Sequence, residues 1–373
     1  MASIAPANEM FRFADALGPI KIVHIHDPAT GLKAVVAVDN VACGPAIGGV
    51  RMAEDVSAEE AFRLARAMTF KNAAAGLAHG GGKSVIFGDP KMQAAAKERL
   101  VRAFARAIRD LAEYIPGPDM GTDERCMAWI KDEIGRAVGL PSEIGGIPLD
   151  EIGATGFGLA VAVEVASRHC GLALAGARVA VQGYGSVGRH AARFLAGKGC
   201  VLVAAADSHA TIHDPAGLDL AMLDALKAKG EGLDRYPAAR KLDRDAILGI
   251  ECEIWIPAAR PDVIRADNVA AVKARLIAQG ANIPVTQEAE RALHERGILS
   301  IPDFVANAGG VICAAVEYRG GTQEAAFRTI EEKIRANTEA VLAEAAANRS
   351  LPRAAAVALA ERRVKRAMAF HRA

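Results

Sequence analysis

The chain has 373 residues, 51% of them hydrophobic and 24% charged, with a formal net charge of +1. That length predicts two domains, and so even a charge balance gives no case for nucleic acid or an anionic membrane as partner. The first residues lack the basic and apolar regions of a secretory leader, and no apolar run approaches the roughly 20 residues of a membrane span, so a cytoplasmic protein is expected. Six cysteines lie far apart without a CxxC pair. This argues against a zinc knuckle or a disulfide scaffold and fits a reducing compartment; no metal site is expected.

In chain order, IKIVHIHDPATGLKAVVAVDN predicts two strands around the turn DPATG. SAEEAFRLARAMTFKNAAAG predicts a helix with Ser57 as N-cap and Glu60 three residues on. Gly80, Gly81 and Gly82 read as a turn before the strand KSVIF. Glycines permit positive φ and close approach of backbone. Lys83 is therefore either a solvated charge on a flexible turn or a lysine presented to a ligand. A long helix is expected over KMQAAAKERLVRAFARAIRDLAEYI, then a loop, YIPGPDMGTD, in which Pro116 and Pro118 bar a helix. After the helix ERCMAWIKDEIGRAVG, the Gly/Pro-rich LPSEIGGIPLDEIGATG places a domain boundary near residue 150.

Beyond it, short apolar strands alternate with helices: TGFGLAVAVEVASRHCG, ARVAVQG, SVGRHAARFLAGKG, CVLVAAAD, CEIWIPAA and RLIAQGAN. This rhythm implies a parallel sheet covered on both faces, an α/β architecture. Residues from about 322 onward form an alanine-rich helical tail. Within this half, VQGYGSVG carries G-x-G-x-x-G as Gly183, Gly185 and Gly188, after a strand and at the start of a helix that includes Ser186 and Val187. A second strand ends in Asp207, 19 residues after Gly188. That is a dinucleotide-binding βαβ unit: the glycines allow the turn, the approach of a pyrophosphate and helix packing, and the helix N-terminus faces the phosphates. A carboxylate at Asp207 would bind ribose hydroxyls and repel a 2′-phosphate, which predicts NAD over NADP.

Lys71 and Lys83 stand 12 residues apart, and Asp119 sits in the proline-fixed loop. Each alone is more often a surface charge. Beside a dinucleotide domain they suggest one lysine clamping a carboxylate, one working as acid–base, and an aspartate moving a proton.

GPAIGGVRM, AMTFKNAAAGLAHGGGKSVI, GPDMGTD, GATGFG, VQGYGSVG, AQGAN and PDFVANAGGVI occur in this order over nearly the whole chain. Together they resemble the glutamate/leucine/phenylalanine/valine dehydrogenase superfamily. The resemblance implies a substrate-binding and oligomerisation domain to about residue 150 and a Rossmann-type, doubly wound NAD domain over 151–325. Helices of 326–373 would then return to the first domain. It implies NAD-dependent oxidative deamination of an L-amino acid to a 2-oxo acid and ammonia by a homo-oligomer. It also implies that Lys71 binds the α-carboxylate, that Lys83 is the catalytic base and that Asp119 shuttles the proton. Thr155 and Asn282 would hold the nicotinamide carboxamide, and Asn307 would line the substrate cleft. In the glutamate enzymes a lysine in PxKGG holds the side-chain carboxylate, whereas this chain has Ile47 there, beside Gly48; their serine four residues after AGG is Ala314 here. A second carboxylate would be buried unpaired, so a leucine-like apolar substrate is expected. Gly117 and Ala314 leave room for a larger, phenylalanine-like one.

Overall fold

The computed structural model describes residues 11–370. The chain divides into two compact units, one of residues up to Pro148 with Ala314–Thr322 and the chain from Ala360, the other of Leu149–Cys313 with Gln323–Leu359.

In the first unit, strands β1 (Lys21–Asp27) and β2 (Leu32–Asn40) pair antiparallel. The Asp27 carboxylate closes their turn, accepting from Ala29 N (3.0 Å) and Thr30 Oγ1 (2.7 Å). There follow β3 (Ala46–Ala53), α1 (Ala58–Ala74), β4 (Gly80–Phe87), α2 (Ala94–Ala107), β5 (Tyr114–Pro118) and α3 (Glu124–Ile134). The Ser57 hydroxyl caps α1 by accepting from Glu60 N at 3.1 Å. Strand order is β1-β2-β4-β3-β5, with β3 parallel to both its neighbours. Residues 34–38 of β2 read as an unbroken apolar run because both faces are buried there. Val36 and Val38 pack with Phe104, Met127 and Ile130 of α2 and α3, while Val35 and Ala37 pack with Ala61 and Ala65 of α1. Phe104 is fully buried, and its truncation to alanine costs ~3–5 kcal/mol.

Three expectations are corrected here. Gly80, Gly81 and Gly82 form no turn: they lie inside β4, and none has a positive φ. Their lack of side chains lets neighbours pack against them. A Cβ on Gly81 would lie 2.1 Å from Thr69 N and 2.4 Å from Ala65 O of α1. The long helix ends at Ala107, and Pro116 and Pro118 belong to β5. That strand tolerates proline because it is the sheet's edge and needs no donor on its open side.

The second unit contains α4 (Ala154–His169), β6 (Arg178–Gln182), α5 (Ser186–Ala196), β7 (Val201–Ala206), β8 (Thr211–His213), α6 (Leu220–Ala228), β9 (Arg240–Leu242), β10 (Ile254–Pro257), β11 (Leu276–Ala278), α7 (Gln287–Glu295), β12 (Leu299–Ile301) and α8 (Asp303–Ala306). Helices α9 (Gly309–Tyr318), α10 (Gln323–Asn348) and α11 (Pro352–Met368) follow. The sheet order is β12-β11-β10-β6-β7-β8-β9; the first five run parallel, and β8 and β9 finish it as an antiparallel edge. Strand β6 has β7 on one side and β10 on the other. Its carboxyl end is thus the switch point where a doubly wound sheet binds its ligand.

Helix α10 stays in the second unit, against the expectation that 326–373 returns whole to the first. Phe327 meets Phe157 of α4 and Phe194 of α5 edge-to-face, with ring centroids 4.9 and 6.2 Å away, and Arg335 pairs with Glu164 at 2.9 Å. The end of α11 belongs to the first unit, where the Arg363 guanidinium donates to Ala73 O and Ala74 O at the close of α1. No helix among the described residues is long and apolar enough to cross a membrane.

Candidate active site

Alternation along β3 puts Ile47, Gly49 and Arg51 on one face. Gly49 is level with Gly117 on β5, and Val50 is level with Ser84 on β4. This register brings Lys83, from the middle of β4, against Asp119, which follows β5. The Lys83 ammonium is ion-paired with Asp119 Oδ2, and Arg51 Nε donates to the same oxygen at 3.2 Å. Arg51 also binds Glu60 of α1 at 2.5 Å. Glycine is required at position 49, since a Cβ would lie 2.7 Å from Asp119 Cβ and 3.0 Å from Lys83 Nζ.

Lys83 is 6% exposed. Burial pushes its pKa down from the ordinary 10.5, Asp119 opposes that, and the Arg51 cation adds to the lowering. Burial alone would raise the Asp119 carboxyl, but Lys83 and Arg51 hold it below the usual carboxylate range. The site therefore has a fixed anion beside a lysine inclined to lose its proton. Below them the fully buried Tyr114 hydroxyl donates to Gly48 O (3.0 Å) and lies 2.9 Å from Ser84 Oγ. Lys71 stands half-buried in the last turn of α1.

Ile47 and Ala314 are brought together, with Ile115 and Val138, in one buried apolar cluster. Val138 also packs over Gly117, where a Cβ would lie 3.1 Å from Val138 Cγ2. The Glu317 carboxylate, one turn after Ala314 on α9, accepts from Leu140 N (3.2 Å) and Ile147 N (2.8 Å) and so pins the segment that follows Val138.

In the second unit the glycine fingerprint has the geometry of a phosphate cradle. Gly183 adopts φ +89°, and a Cβ there would lie 2.7 Å from the backbone of Ala258 and Ala259. Gly188 lets α5 meet β6, its Cβ position being 2.2 Å from Gly183 O. Gly185, exposed at the N-cap of α5, has nothing within 4 Å of its Cβ position and makes no side-chain cap bond. The helix N-terminus thus opens onto unfilled space, where its first N–H groups could hold an anion such as a pyrophosphate. The Ser186 hydroxyl is turned inward, donating to Asp150 O at 2.9 Å, and Val187 is half-buried.

The Asp207 carboxylate is fully engaged by the protein. One oxygen accepts from His209 N (2.8 Å) and Ala210 N (3.3 Å), the other from Leu233 N (2.9 Å) and the Lys227 ammonium. Burial would raise its pKa, yet these donors, Lys227 first, hold it low. Its charge is therefore matched internally.

Thr155 lies in the first turn of α4, where a Cβ on Gly310 would come 3.0 Å from its hydroxyl. Asn282 is exposed just beyond β11. Asn307, expected in the substrate cleft, is buried against the Asn282 loop, donating to Asn282 Oδ1 (3.0 Å) and to Gly280 O and Ala281 O (3.3 Å each). Sequence reasoning missed Gly49, Arg51, Ile115, Val138 and Lys227. The alternation from Ile47 through Gly49 to Arg51 was the available signal for two of them.

The family model "Glutamate/Leucine/Phenylalanine/Valine dehydrogenase" matches residues 145–372, and "Glu/Leu/Phe/Val dehydrogenase, dimerisation domain" matches residues 19–136. An NADP(+)-dependent glutamate dehydrogenase of Pyrobaculum calidifontis is 38% identical over 81% of this chain and 76% of its own length. An NAD-specific glutamate dehydrogenase of Staphylococcus aureus is 35% identical over 82% and 77%. Among solved structures, the hetero-hexameric glutamate dehydrogenase of Thermus thermophilus in its leucine-bound form superposes with a TM-score of 0.82 at 31% identity, covering 94% of this chain and 89% of that one. The L-tryptophan dehydrogenase of Nostoc punctiforme gives 0.75 at 26%, covering 94% and 97%. With its lysine–aspartate pair on one unit and its dinucleotide cradle on the other, the chain belongs to the glutamate/leucine/phenylalanine/valine dehydrogenase family and is an amino-acid dehydrogenase.

Proposed function

We propose that the chain catalyses the reversible oxidative deamination of an apolar L-amino acid, leucine-like in size, with NAD as acceptor. The observation that carries the substrate class is the cluster of Ile47, Ile115, Val138 and Ala314. A side-chain carboxylate placed among these four groups would be desolvated without a partner, at a cost of about several kcal/mol. The next polar group along α9, Glu317, is a carboxyl and not a cation.

A nicotinamide nucleotide, which the fingerprint glycines, Thr155 and Asn282 would hold, would supply the hydride-accepting chemistry at the substrate Cα. The chain's own residues do the rest. Lys71 holds the α-carboxylate. Neutral Lys83 takes a proton from the water that attacks the imino carbon, and Asp119 passes protons until ammonia leaves. Burial of Lys83 supports its part, because a desolvated ammonium yields its proton more readily. The anionic Asp207 supports NAD, but the Lys227 partner weakens its repulsion of a 2′-phosphate. A modest preference over NADP is expected, in keeping with relatives named for each cofactor. Assembly as a homo-oligomer is supported by the dimerisation-domain match.

Glutamate is the second reading, favoured by the names of the relatives. Initial rates with leucine, valine, phenylalanine and glutamate, with NAD and NADP, separate the two. The apolar reading expects kcat/KM for leucine well above that for glutamate, and Ile47→Lys to lower the former and raise the latter. A wild type that prefers glutamate overturns it.

A further inference from the structure

Ile283 is out of place twice. It is a β-branched residue at φ +49°, where such side chains are rare outliers, and it is 54% exposed. It directly follows Asn282. Conformations of this kind persist only where the surroundings over-determine them, and they gather at functional sites.

The surroundings here are explicit. Ile283 N donates to Asp303 Oδ2 at 2.9 Å, and Ile283 O accepts from Asp262 N at 2.9 Å. The next residue, Pro284, accepts from Ile264 N at 3.0 Å. Asp303 is itself held: its other oxygen pairs with Arg353 Nη2 at 2.9 Å. Arg353 reaches in from the start of α11, binds both oxygens of the buried Glu290 at 2.7 and 2.8 Å, and donates to Gln279 Oε1 at 2.8 Å. Gln279 closes the ring by donating to Glu290 at 2.9 Å. Gln279 begins the segment that runs through Gly280 and Ala281 to Asn282. The clamp thus grips both ends of this loop, while Asn307 grips its middle.

We propose that Asp303 and Arg353 are positioning residues of the nucleotide site, which hold Ile283 in its left-handed conformation and so fix the direction of the Asn282 amide. Both would act through the loop backbone, which Asp303 binds at Ile283 N. The proposal rests on the assignment of Asn282 to the nicotinamide side.

The test is a set of full-length variants: Asn282→Ala, Asp303→Asn, Arg353→Met, Ile283→Gly and the double variant Asn282→Ala/Asp303→Asn. Each is titrated with whichever of NADH and NADPH the wild type binds more tightly, and each is melted. Asn282→Ala sets the scale. Asp303→Asn and Arg353→Met should each raise the nucleotide Kd about five- to tenfold, with KM for the 2-oxo acid unchanged, and the double variant should be no worse than Asn282→Ala, because coupled residues are not additive. Ile283→Gly should weaken nucleotide binding without lowering the melting temperature, since glycine adopts this φ freely. Should Asp303→Asn fail to fold, Arg353→Met and Ile283→Gly carry the test. Strictly additive effects, or melting temperatures that fall while nucleotide affinity stays at the wild-type value, overturn the proposal. If Asn282→Ala itself leaves affinity unchanged, the assignment of Asn282 is what fails, and the proposal falls with it.

Discussion

The two glycine-rich segments, GGGK on β4 and GYGSVG after β6, use the same residue for opposite purposes. In β4 the glycines are extended, and the space a side chain would fill is already taken by the protein. Gly80 has Asn40 O 1.7 Å from its Cβ position, Gly81 has the α1 backbone, and Gly82 has the Tyr114 ring at 2.8 Å. In the fingerprint Gly183 needs its positive φ for the turn, and Gly185 faces open space. The first segment clears room for packing, so that Lys83 is held rigidly under a buried wall. The second leaves space unfilled, as the proposed nucleotide site requires. A run of glycines before a lysine is thus no evidence of flexibility.

The largest expected effect isolates the lysine from its glycine setting. Lys83→Ala should cut kcat by about 10³-fold while leaving nucleotide affinity near wild type, as for loss of an acid–base group. In the wild type, kcat/KM should rise with pH through a base below the ordinary lysine value of 10.5, because burial favours the neutral form that accepts the proton. That rising limb should vanish in the variant. A profile governed by a base at or above 10.5 would sink this role for Lys83.

Next comes Gly81→Ala, which drives a methyl into the α1 backbone and should cost about 3 kcal/mol. It should appear as a lower denaturation midpoint and, because α1 carries Lys71, as a higher KM for the amino acid. Gly185→Ala should do the reverse. Its denaturation midpoint stays at the wild-type value, while nucleotide Kd rises about tenfold, or 1.4 kcal/mol. Equal loss of stability in both variants would erase the distinction between the segments.

Much of this was legible in the chain because local signals agreed. Asp27 and the DPATG turn marked the hairpin, Ser57 the helix start, and strand, glycines and helix together marked the βαβ unit. What escaped depended on register. Nothing near Gly81 says that α1 will press on it, and Pro116 and Pro118 read as a loop until β5 is known to be an edge. Val138 and Ile115 join Ile47 only once β5 is seated beside β3. Asp207 lies one residue beyond the end of β7 rather than within it, and Lys227, 20 residues on, could not be seen to answer its charge. Long-range pairing of this kind leaves no periodic trace.

The ion pair between Asp207 and Lys227 also bears on how coenzyme use changes over evolutionary time. A carboxylate that already faces a lysine sits one codon change from exposing a cation. Replacement of Asp207 by a small neutral residue would remove the repulsion of a 2′-phosphate and leave the Lys227 ammonium unanswered in the same place. Asp207→Ser should therefore shift the NADPH to NADH efficiency ratio upward by several-fold, the smallest change predicted here. Descent could exchange one coenzyme for the other through a single drifting position, with the rest of the fold untouched.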